Sequence, residues 1–274
     1  MLTLCDRDGT PFALHGHPLP EMQMRDFEDS PTWRASAFER IRNDMAASSF
    51  AKLDRPTVLP TTLLADLNRL YDDPAGVVDL LEVIALCMRH REPALLYLQH
   101  QQSIWPVTIF PAEMLYHSPR EVGHVSVETL AHMELVNVEP PMLRPPGHLM
   151  HERIGQADQY HPLVPLLWAV ALYGPHASLL SEIGGTAAYR ATNSPASVGV
   201  TATGALGSAA ERLRRESAAM RDVAKWPGMS IERASRLLNG LYLASILMVT
   251  RAHPAARTEG WLRSGLFGLL RSRR

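Results

Sequence analysis

Lysine and cysteine are scarce in this chain of 274 residues. Only two of its 27 basic residues, Lys52 and Lys225, are lysine, and the rest are arginine. Because alanine, proline and leucine are also abundant, this bias indicates a GC-rich, bacterial coding sequence rather than selection for phosphate-binding arginines. The two cysteines, Cys5 and Cys87, show no paired spacing. The sequence therefore predicts neither a disulfide framework nor an oxidising compartment.

A large net charge is also missing. The formal charge is −1, which gives the chain as a whole no attraction to nucleic acid. The charge is unevenly distributed, because residues 251–274 contain six arginines and one glutamate, a net charge of +5, against −6 for residues 1–250. The N-terminus has no basic region followed by an apolar run and a cleavage site. It does not read as a secretory signal, and we expect a cytoplasmic protein.

Several motifs of nucleotide binding and catalysis are not present. The uncharged segment 192–207 contains three glycines, but no lysine follows them, as a phosphate-binding loop requires. No strand with the right spacing precedes the segment for a dinucleotide-binding turn. No G-x-S-x-G sequence occurs, and Cys87 lies in an apolar helical run, where a buried thiol is unreactive. We therefore expect no cofactor and assign no catalytic residue.

The most informative apolar run, residues 237–250, contains fourteen residues without a charge. At ~1.5 Å rise per residue, a helix of this length is too short to cross ~30 Å of hydrocarbon. The run instead predicts a helix that is buried on every side, and Ser230 is its expected N-cap. A second uncharged helix is predicted for Leu163–Tyr173. Both helices indicate a substantial water-excluded core.

A β-region is predicted between residues 94 and 117. Apolar runs separated by short polar turns predict a small antiparallel meander, with strands at 94–98, 104–110 and 114–116. Pro106 lies inside the second run and cannot donate to a ladder, which predicts an edge strand or a bulge. The aromatic residues here are expected in the core, with an exposed strand-addition site as the alternative; they are Trp105, Phe110 and Tyr116.

The predicted fold class is α+β and predominantly α-helical, with the small antiparallel β-meander and a helical C-terminal half. The segment 125–138 is ambiguous: Ser126 can cap a helix that runs through Met133, and residues 135–138 can form a strand. Four prolines within 139–147 indicate an extended connector or a docking surface. They suggest an α+β domain at 1–140 and an all-α domain with a basic amphipathic tail at 148–274. A single fused core is the other interpretation.

A group of histidines and a glutamate follows the proline-rich connector and offers the best candidates for metal chemistry. Imidazole and carboxylate groups are common zinc and iron ligands, and histidines three positions apart share one face of a helix. Surface or capping roles explain the same residues, because the spacing matches no known zinc motif. The candidate ligands are His148, His151, Glu152 and His161.

The C-terminal tail combines arginines with apolar side chains. A helix over residues 260–274 would place most of its leucines on one side and most of its arginines on the other. Such an end can dock into the groove of a partner or make weak contact with an anionic membrane, and it can also fold back on the body. The predicted partner-binding residues are Trp261, Leu262, Leu266, Phe267, Leu269, Leu270 and Arg271.

These features favour a non-catalytic bacterial cytoplasmic adaptor, or an assembly or regulatory component, that acts through protein–protein contacts. The expected partner is another protein or a second copy of the chain, and not nucleic acid. The run from Asp79 to His117, a helix followed by a meander, resembles in layout small bacterial signalling-adaptor modules, although it carries no diagnostic motif. The alternative function is a metal-dependent enzyme that uses the cluster near residues 148–161.

Overall fold

The larger β-unit in the computed structural model is a six-stranded antiparallel sheet. The residues that the structure describes are 33–36, 38–40, 59–72, 79–119, 121 and 125–256. Five strands follow the order β5-β2-β3-β4-β6, and β1 pairs with the beginning of β3. The six strands are β1 (Trp33–Arg34), β2 (Ala94–His100), β3 (Ser103–Phe110), β4 (Leu115–His117), β5 (Glu134–Glu139) and β6 (Tyr160–Pro162).

Side chains of this sheet alternate between two faces, as the pleat of a strand requires. Leu96, Leu98 and Val107 belong to the main hydrophobic core. Leu95, Tyr97 and Ile104 point the other way and pack with Phe38, whose ring centroid lies 4.6 Å from that of Tyr97. Both faces of β2 are therefore buried, which explains why its apolar run is continuous rather than alternating.

Four helices pack with the face of the sheet that belongs to the main hydrophobic core. They are α1 (Thr61–Tyr71), α2 (Leu80–His90), α3 (Val127–Ala131) and α4 (Leu163–Tyr173). Helix α2 begins at Asp79, whose carboxylate accepts hydrogen bonds from two backbone N–H groups of the first turn. It ends at Arg91, which has a left-handed backbone with φ of 54°.

A second, three-stranded antiparallel sheet lies in the C-terminal half, with the strand order β8-β7-β9. Its strands are β7 (Ala188–Ala191), β8 (Ala218–Ala219) and β9 (Leu247–Thr250). Three further helices are α5 (Gly204–Arg215), α6 (Met220–Val223) and α7 (Ile231–Leu243). Buried side chains from Leu59 to Ile246 form one continuous cluster. The division into domains 1–140 and 148–274 stays a prediction, although the described residues show no gap in the cluster at that point.

The prediction of a predominantly α-helical fold with a helical C-terminal half is wrong. The fold is mixed α+β, and its second sheet lies in the half for which the sequence predicts helices alone. Strands β7, β8 and β9 are only two to four residues long, so they show no alternating pattern in the sequence. The three strands predicted at residues 94–117 are present, but they are the middle of a larger sheet.

The uncharged run 237–250 is not one helix. Helix α7 ends at Leu243, Ser245 has a left-handed backbone with φ of 60°, and β9 follows. The helical part is buried without interruption from residue 237 to residue 241, as the sequence predicts. Pairing of β9 with β7 supplies the remaining residues with hydrogen bonds that a longer helix would otherwise provide. Among the described helices, none has the length and apolar character needed to cross a membrane.

Pro106 lies inside the sheet rather than on an edge strand. On the side of β3 away from β2, β1 pairs at Ser103 and Ile104, and β4 pairs from Thr108 onward. Pro106 falls in the gap between these two pairings, where its missing N–H costs no ladder bond. The predicted burial of the three aromatic residues is confirmed, because Trp105, Phe110 and Tyr116 are at most 4% exposed.

Candidate functional site

The loop at residues 174–184, which follows α4, is held by elements from both halves of the chain. Asn239 of α7 accepts a hydrogen bond from the loop backbone at 3.0 Å and donates another at 2.8 Å. Ser181 donates from its backbone N–H and from its hydroxyl to the Glu82 carboxylate of α2, both at 2.8 Å. Arg251 donates to two further loop carbonyls. The loop is therefore fixed in position relative to α2 and α7.

Asp79, His176 and Ser178 form a hydrogen-bonded chain at the start of this loop. The Nδ1 atom of His176 lies 2.5 Å from Oδ2 of Asp79, and its Nε2 atom lies 3.3 Å from Oγ of Ser178. The His176 side chain is only 7% exposed, whereas Ser178 is open to solvent. An imidazole with a carboxylate on Nδ1 and a hydroxyl on Nε2 has the order of groups that activates serine nucleophiles.

The electrostatic setting favours an ionised Asp79. Burial alone would raise the pKa of its carboxyl group, but the hydrogen bond and charge of His176, together with N–H groups of α2, lower this pKa below its usual value. An ionised Asp79 accepts the proton on Nδ1 of His176. In the neutral imidazole with its proton on Nδ1, the Nε2 atom carries a lone pair that can accept the hydroxyl proton of Ser178.

The sequence analysis did not identify this hydrogen-bonded group of three side chains. Asp79 is readable as an N-cap, because it precedes the apolar run of α2, and His176 and Ser178 are near neighbours. Nothing in the sequence indicates that a residue 97 positions before His176 lies beside it. Only packing of the loop on the first turn of α2 joins them.

A second polar cluster lies where α1 meets α2. The Asp66 carboxylate contacts Arg89, the Nε2 atom of His90 at 2.8 Å and Arg69 at 3.0 Å. The hydrogen bond from His90 lowers the pKa of the Asp66 carboxyl, and the nearby arginines add to this effect. These groups pair with one another, as in a surface ion-pair network, which typically contributes little to stability.

The four predicted metal ligands do not form a common site. His148 accepts a hydrogen bond at Nδ1 from the backbone two residues further on. His151 and Glu152 are exposed on a single 3-10 turn, while His161 lies on β6 with its ring centroid 5.1 Å from that of Tyr116. In the part of the chain that the structure describes, no three His, Cys, Asp or Glu side chains are placed to hold a metal ion. The metal site stays a prediction without geometric support.

His117, which the sequence does not single out, has an unusual environment. Its Nε2 atom is buried and has no hydrogen-bond partner among the described residues. A Cβ atom on Gly155 would lie 2.5 Å from this nitrogen, so a larger residue does not fit there without a shift. The Tyr160 ring packs edge-on at 4.8 Å. Burial and the neighbouring charge of His161 lower the pKa of the His117 imidazole.

The proline-rich connector continues into an ordered loop between β5 and β6, which we call the Pro-rich loop (residues 140–159). The Arg144 backbone N–H donates to the Arg153 carbonyl at 2.9 Å, and the Tyr160 hydroxyl donates to the Arg144 carbonyl at 2.5 Å. Two large apolar side chains of this loop face solvent, since Met142 is 60% exposed and Leu149 is 90% exposed. Contiguous exposed apolar patches are typical of protein-contact surfaces, and these two side chains are candidates for such a contact.

Helices α6 and α7 lie beside the small sheet, in an order that resembles a helix-turn-helix unit. In DNA-binding proteins of that type, the second helix enters the major groove and needs a free face. Here α7 is packed against α4, where Gly240 approaches the Trp168 ring and Arg236 donates to the last carbonyls of α4. The exposed residues of α7 are concentrated in its first turn.

The residues predicted to bind a partner through the C-terminal tail lie outside the described part of the chain. They are Trp261, Leu262, Leu266, Phe267, Leu269, Leu270 and Arg271. No family model matches the chain, and no match was found among curated proteins or among solved structures. The functional argument therefore depends on the geometry and chemistry of the residues described above.

Proposed function

We propose that this chain is a bacterial cytoplasmic adaptor, or an assembly or regulatory component, that binds a partner protein through the Pro-rich loop. The single observation that carries the proposal is the exposure of Leu149 and Met142, at 90% and 60%, on a loop that is held in place. A large apolar side chain that faces water gains free energy when a partner covers it.

The fixed shape of the loop supports this role. Binding by a flexible segment loses free energy as the segment becomes ordered, whereas a preorganised loop avoids much of this cost. Tyr160 contributes to the preorganisation, because its hydroxyl donates to the Arg144 carbonyl and accepts from the Gly155 N–H. Leu149 and Met142 are thus presented by a loop whose backbone is tied by hydrogen bonds, which lowers the ordering cost of binding.

The C-terminal tail is a second proposed contact, based on sequence alone. Its net positive charge and its leucines suit an acidic, apolar groove on a partner, and weak peripheral membrane contact is a lesser role for the same segment. Nucleic acid is the less suitable partner for the chain as a whole, because its net charge is −1.

Site-specific photo-cross-linking tests the proposed loop contact. A photoreactive residue is placed singly at Met142 or Leu149 in the full chain, expressed in the native bacterium, and the adducts are identified by mass spectrometry. Control positions are Val127 and Ile231, which are 55% and 67% exposed but lie outside the loop. We expect one protein to be cross-linked from both loop positions and from neither control position.

Binding of that purified partner then provides the quantitative test. The variant Leu149→Asp should weaken Kd by at least about tenfold, whereas Val127→Asp should change it by less than about twofold. Deletion of residues 260–274 tests the tail separately, and a loss of affinity without a lower Tm would support a direct contact. Equal cross-linking at all four positions, or an unchanged Kd for Leu149→Asp, would contradict the proposed loop contact. Cross-links to a second copy alone would show a homo-oligomer instead.

A further inference from the structure

The hydrogen-bonded side chains of Asp79, His176 and Ser178 are arranged as a carboxylate, a base and a hydroxyl, which is the order found around an activated serine nucleophile. A base must lie within hydrogen-bond reach of the hydroxyl, and Nε2 of His176 lies 3.3 Å from Oγ of Ser178. This distance is slightly long, as is common before a substrate binds. A third group must orient the base, and Asp79 does so at 2.5 Å from Nδ1.

The carboxylate of Asp79 is itself held firmly. Its Oδ1 atom accepts hydrogen bonds from the N–H groups of Leu81 at 2.7 Å and Glu82 at 3.4 Å, which leaves Oδ2 for His176. These bonds fix the carboxylate at the N-terminus of α2, where a negative charge is favoured. The imidazole is therefore held in one orientation, with Nε2 directed at Ser178.

Backbone N–H groups next to Ser178 are available as donors. The N–H groups of residues 180, 181, 183 and 184 of the same loop donate to acceptors within the protein. Those of Ala177, Ser178 and Leu179 have no acceptor among the described residues, and the same holds for His176 and Glu182. Free N–H groups at and beside a nucleophile can stabilise the oxyanion that forms when a carbonyl is attacked.

We propose that Ser178 is the nucleophile of an acyl-transfer site, with His176 as its general base and Asp79 as the positioning residue, and that the substrate class is a small, solvent-accessible carboxylic ester. The exposure of Ser178 beside a 7%-exposed His176 allows such an ester to reach the hydroxyl while the base stays fixed. This inference is independent of the proposed protein-binding role of the Pro-rich loop.

The reaction proceeds in two balanced halves. Oγ of Ser178 forms a bond to the ester carbonyl carbon, its proton moves to Nε2 of His176, and the carbon–oxygen bond to the alcohol breaks. The alcohol leaves with the proton from His176. Water then attacks the acyl group on Ser178, His176 takes a proton from that water and returns it to Oγ, and a carboxylic acid is released.

A fluorophosphonate probe tests the nucleophile on the full chain. In the labelling step, Oγ of Ser178 bonds to phosphorus, fluoride leaves, and the hydroxyl proton passes to His176. Intact mass and peptide mapping should place the label on Ser178. The matched control is Ser208→Ala, because Ser208 is an exposed serine outside the loop at residues 174–184. We expect Ser178→Ala to abolish labelling and Ser208→Ala to leave its rate unchanged within about twofold.

Two further variants test the base and the positioning residue. His176→Gln should reduce the labelling rate, and the hydrolysis of p-nitrophenyl acetate, by at least about 100-fold. Asp79→Asn keeps an equally good helix cap, so Tm should change little while the rate falls. The kcat for p-nitrophenyl acetate should fall while KM stays within about twofold, because Asp79 acts on the orientation of the base and does not touch the substrate.

Three results would overturn the proposal. One is labelling of Ser178 no faster than in the heat-unfolded chain. Another is equal labelling of Ser178 and Ser181. The third is an unchanged kcat in Asp79→Asn, which decides the question even if His176→Gln does not fold. None of these results would bear on cross-linking at Leu149, so the two proposals fail separately.

Discussion

At the scale of single residues, burial governs the chemistry of the side chains that titrate or react. Cys87 on α2 is fully buried, and burial raises the pKa of its thiol to about 12. His117 is held without a partner for Nε2, and burial lowers the pKa of its imidazole. Burial therefore favours the neutral form of both side chains in the folded state, and each shift leads to a testable prediction.

The Cys87 thiol should be unreactive in the native protein. The thiolate is the nucleophile, and a thiol with a pKa of about 12 forms almost none of it at neutral pH. In a Cys5→Ser variant, where Cys87 is the sole cysteine, we expect no reaction with a disulfide reagent in native buffer. Unfolding in guanidinium chloride should release one thiol per chain. Rapid modification in native buffer would contradict the burial of Cys87.

Acidification should weaken the fold through His117. Because the folded-state pKa lies below the unfolded value of about 6.5, the unfolded chain takes up a proton first as the pH falls. The free energy of unfolding should therefore decrease from about pH 6.5 down to the folded-state pKa. His117→Gln should show a smaller decrease than the parent protein in urea unfolding, while the exposed control His151→Gln should match the parent. Equal pH sensitivity in His117→Gln would refute this assignment.

At the scale of elements, helix α7 is positioned by close approach to α4. A Cβ atom on Gly240 would lie 2.9 Å from Cε3 of Trp168, and the indole is itself held by its Nε1, which donates to the Thr201 carbonyl at 3.3 Å. Glycine normally weakens a helix by about 0.5–1 kcal/mol relative to alanine. Here that cost allows the two helices to pack more closely than any larger residue would permit.

Gly240→Ala should therefore destabilise the protein despite its better helix propensity. We expect a loss of about 1–3 kcal/mol in the free energy of unfolding, the usual effect of overpacking a core. In a Trp168→Phe background, which removes the ring atoms closest to Gly240, the same change should cost less. Urea unfolding of the four proteins of this double-mutant cycle measures the coupling. Additive effects would show that the contact does not limit the packing.

The elements differ in how far the sequence predicts them. Local signals suffice for the cap at Ser230 and offer the one at Ser126 as one possibility, and both serines accept hydrogen bonds from the first turns of their helices. Local signals also suffice for the long, apolar strands β2 and β3. They fail for the end of α7, because the left-handed Ser245 and the pairing of β9 with β7 are not encoded by apolar periodicity.

At the scale of the whole molecule, the two halves share one buried cluster and one set of polar ties. Asn239 is fully buried and joins α7 to the loop at residues 174–184, which in turn contacts Glu82 and Asp79 at the start of α2. Since buried polar groups are costly when unpaired, these ties favour one arrangement of the halves. Unfolding of either half should expose the buried apolar side chains of the other half to water.

We therefore predict a single cooperative unfolding of both halves. In hydrogen exchange at increasing urea, peptides from α2 and from α7 should lose protection at the same concentration. Asn239→Ala should lower both urea midpoints together, because it leaves the buried N–H of Leu180 unpaired. The corresponding loss in the free energy of unfolding should be about 1–3 kcal/mol. The exposed control Ser208→Ala should lower neither midpoint. Separate midpoints for the two helices would support two independent domains.

The sequence by itself determined the features that depend on neighbouring residues: the buried aromatic strands, the apolar centre of α7 and the helix caps. Each follows from local hydrophobicity and backbone propensity, which act over a few residues. Only the tertiary structure decided the second sheet, the covering of α7 by α4, the separation of the four candidate metal ligands and the meeting of Asp79 with His176. These features depend on contacts between segments far apart in the chain, and their formation depends on the packing of the whole core.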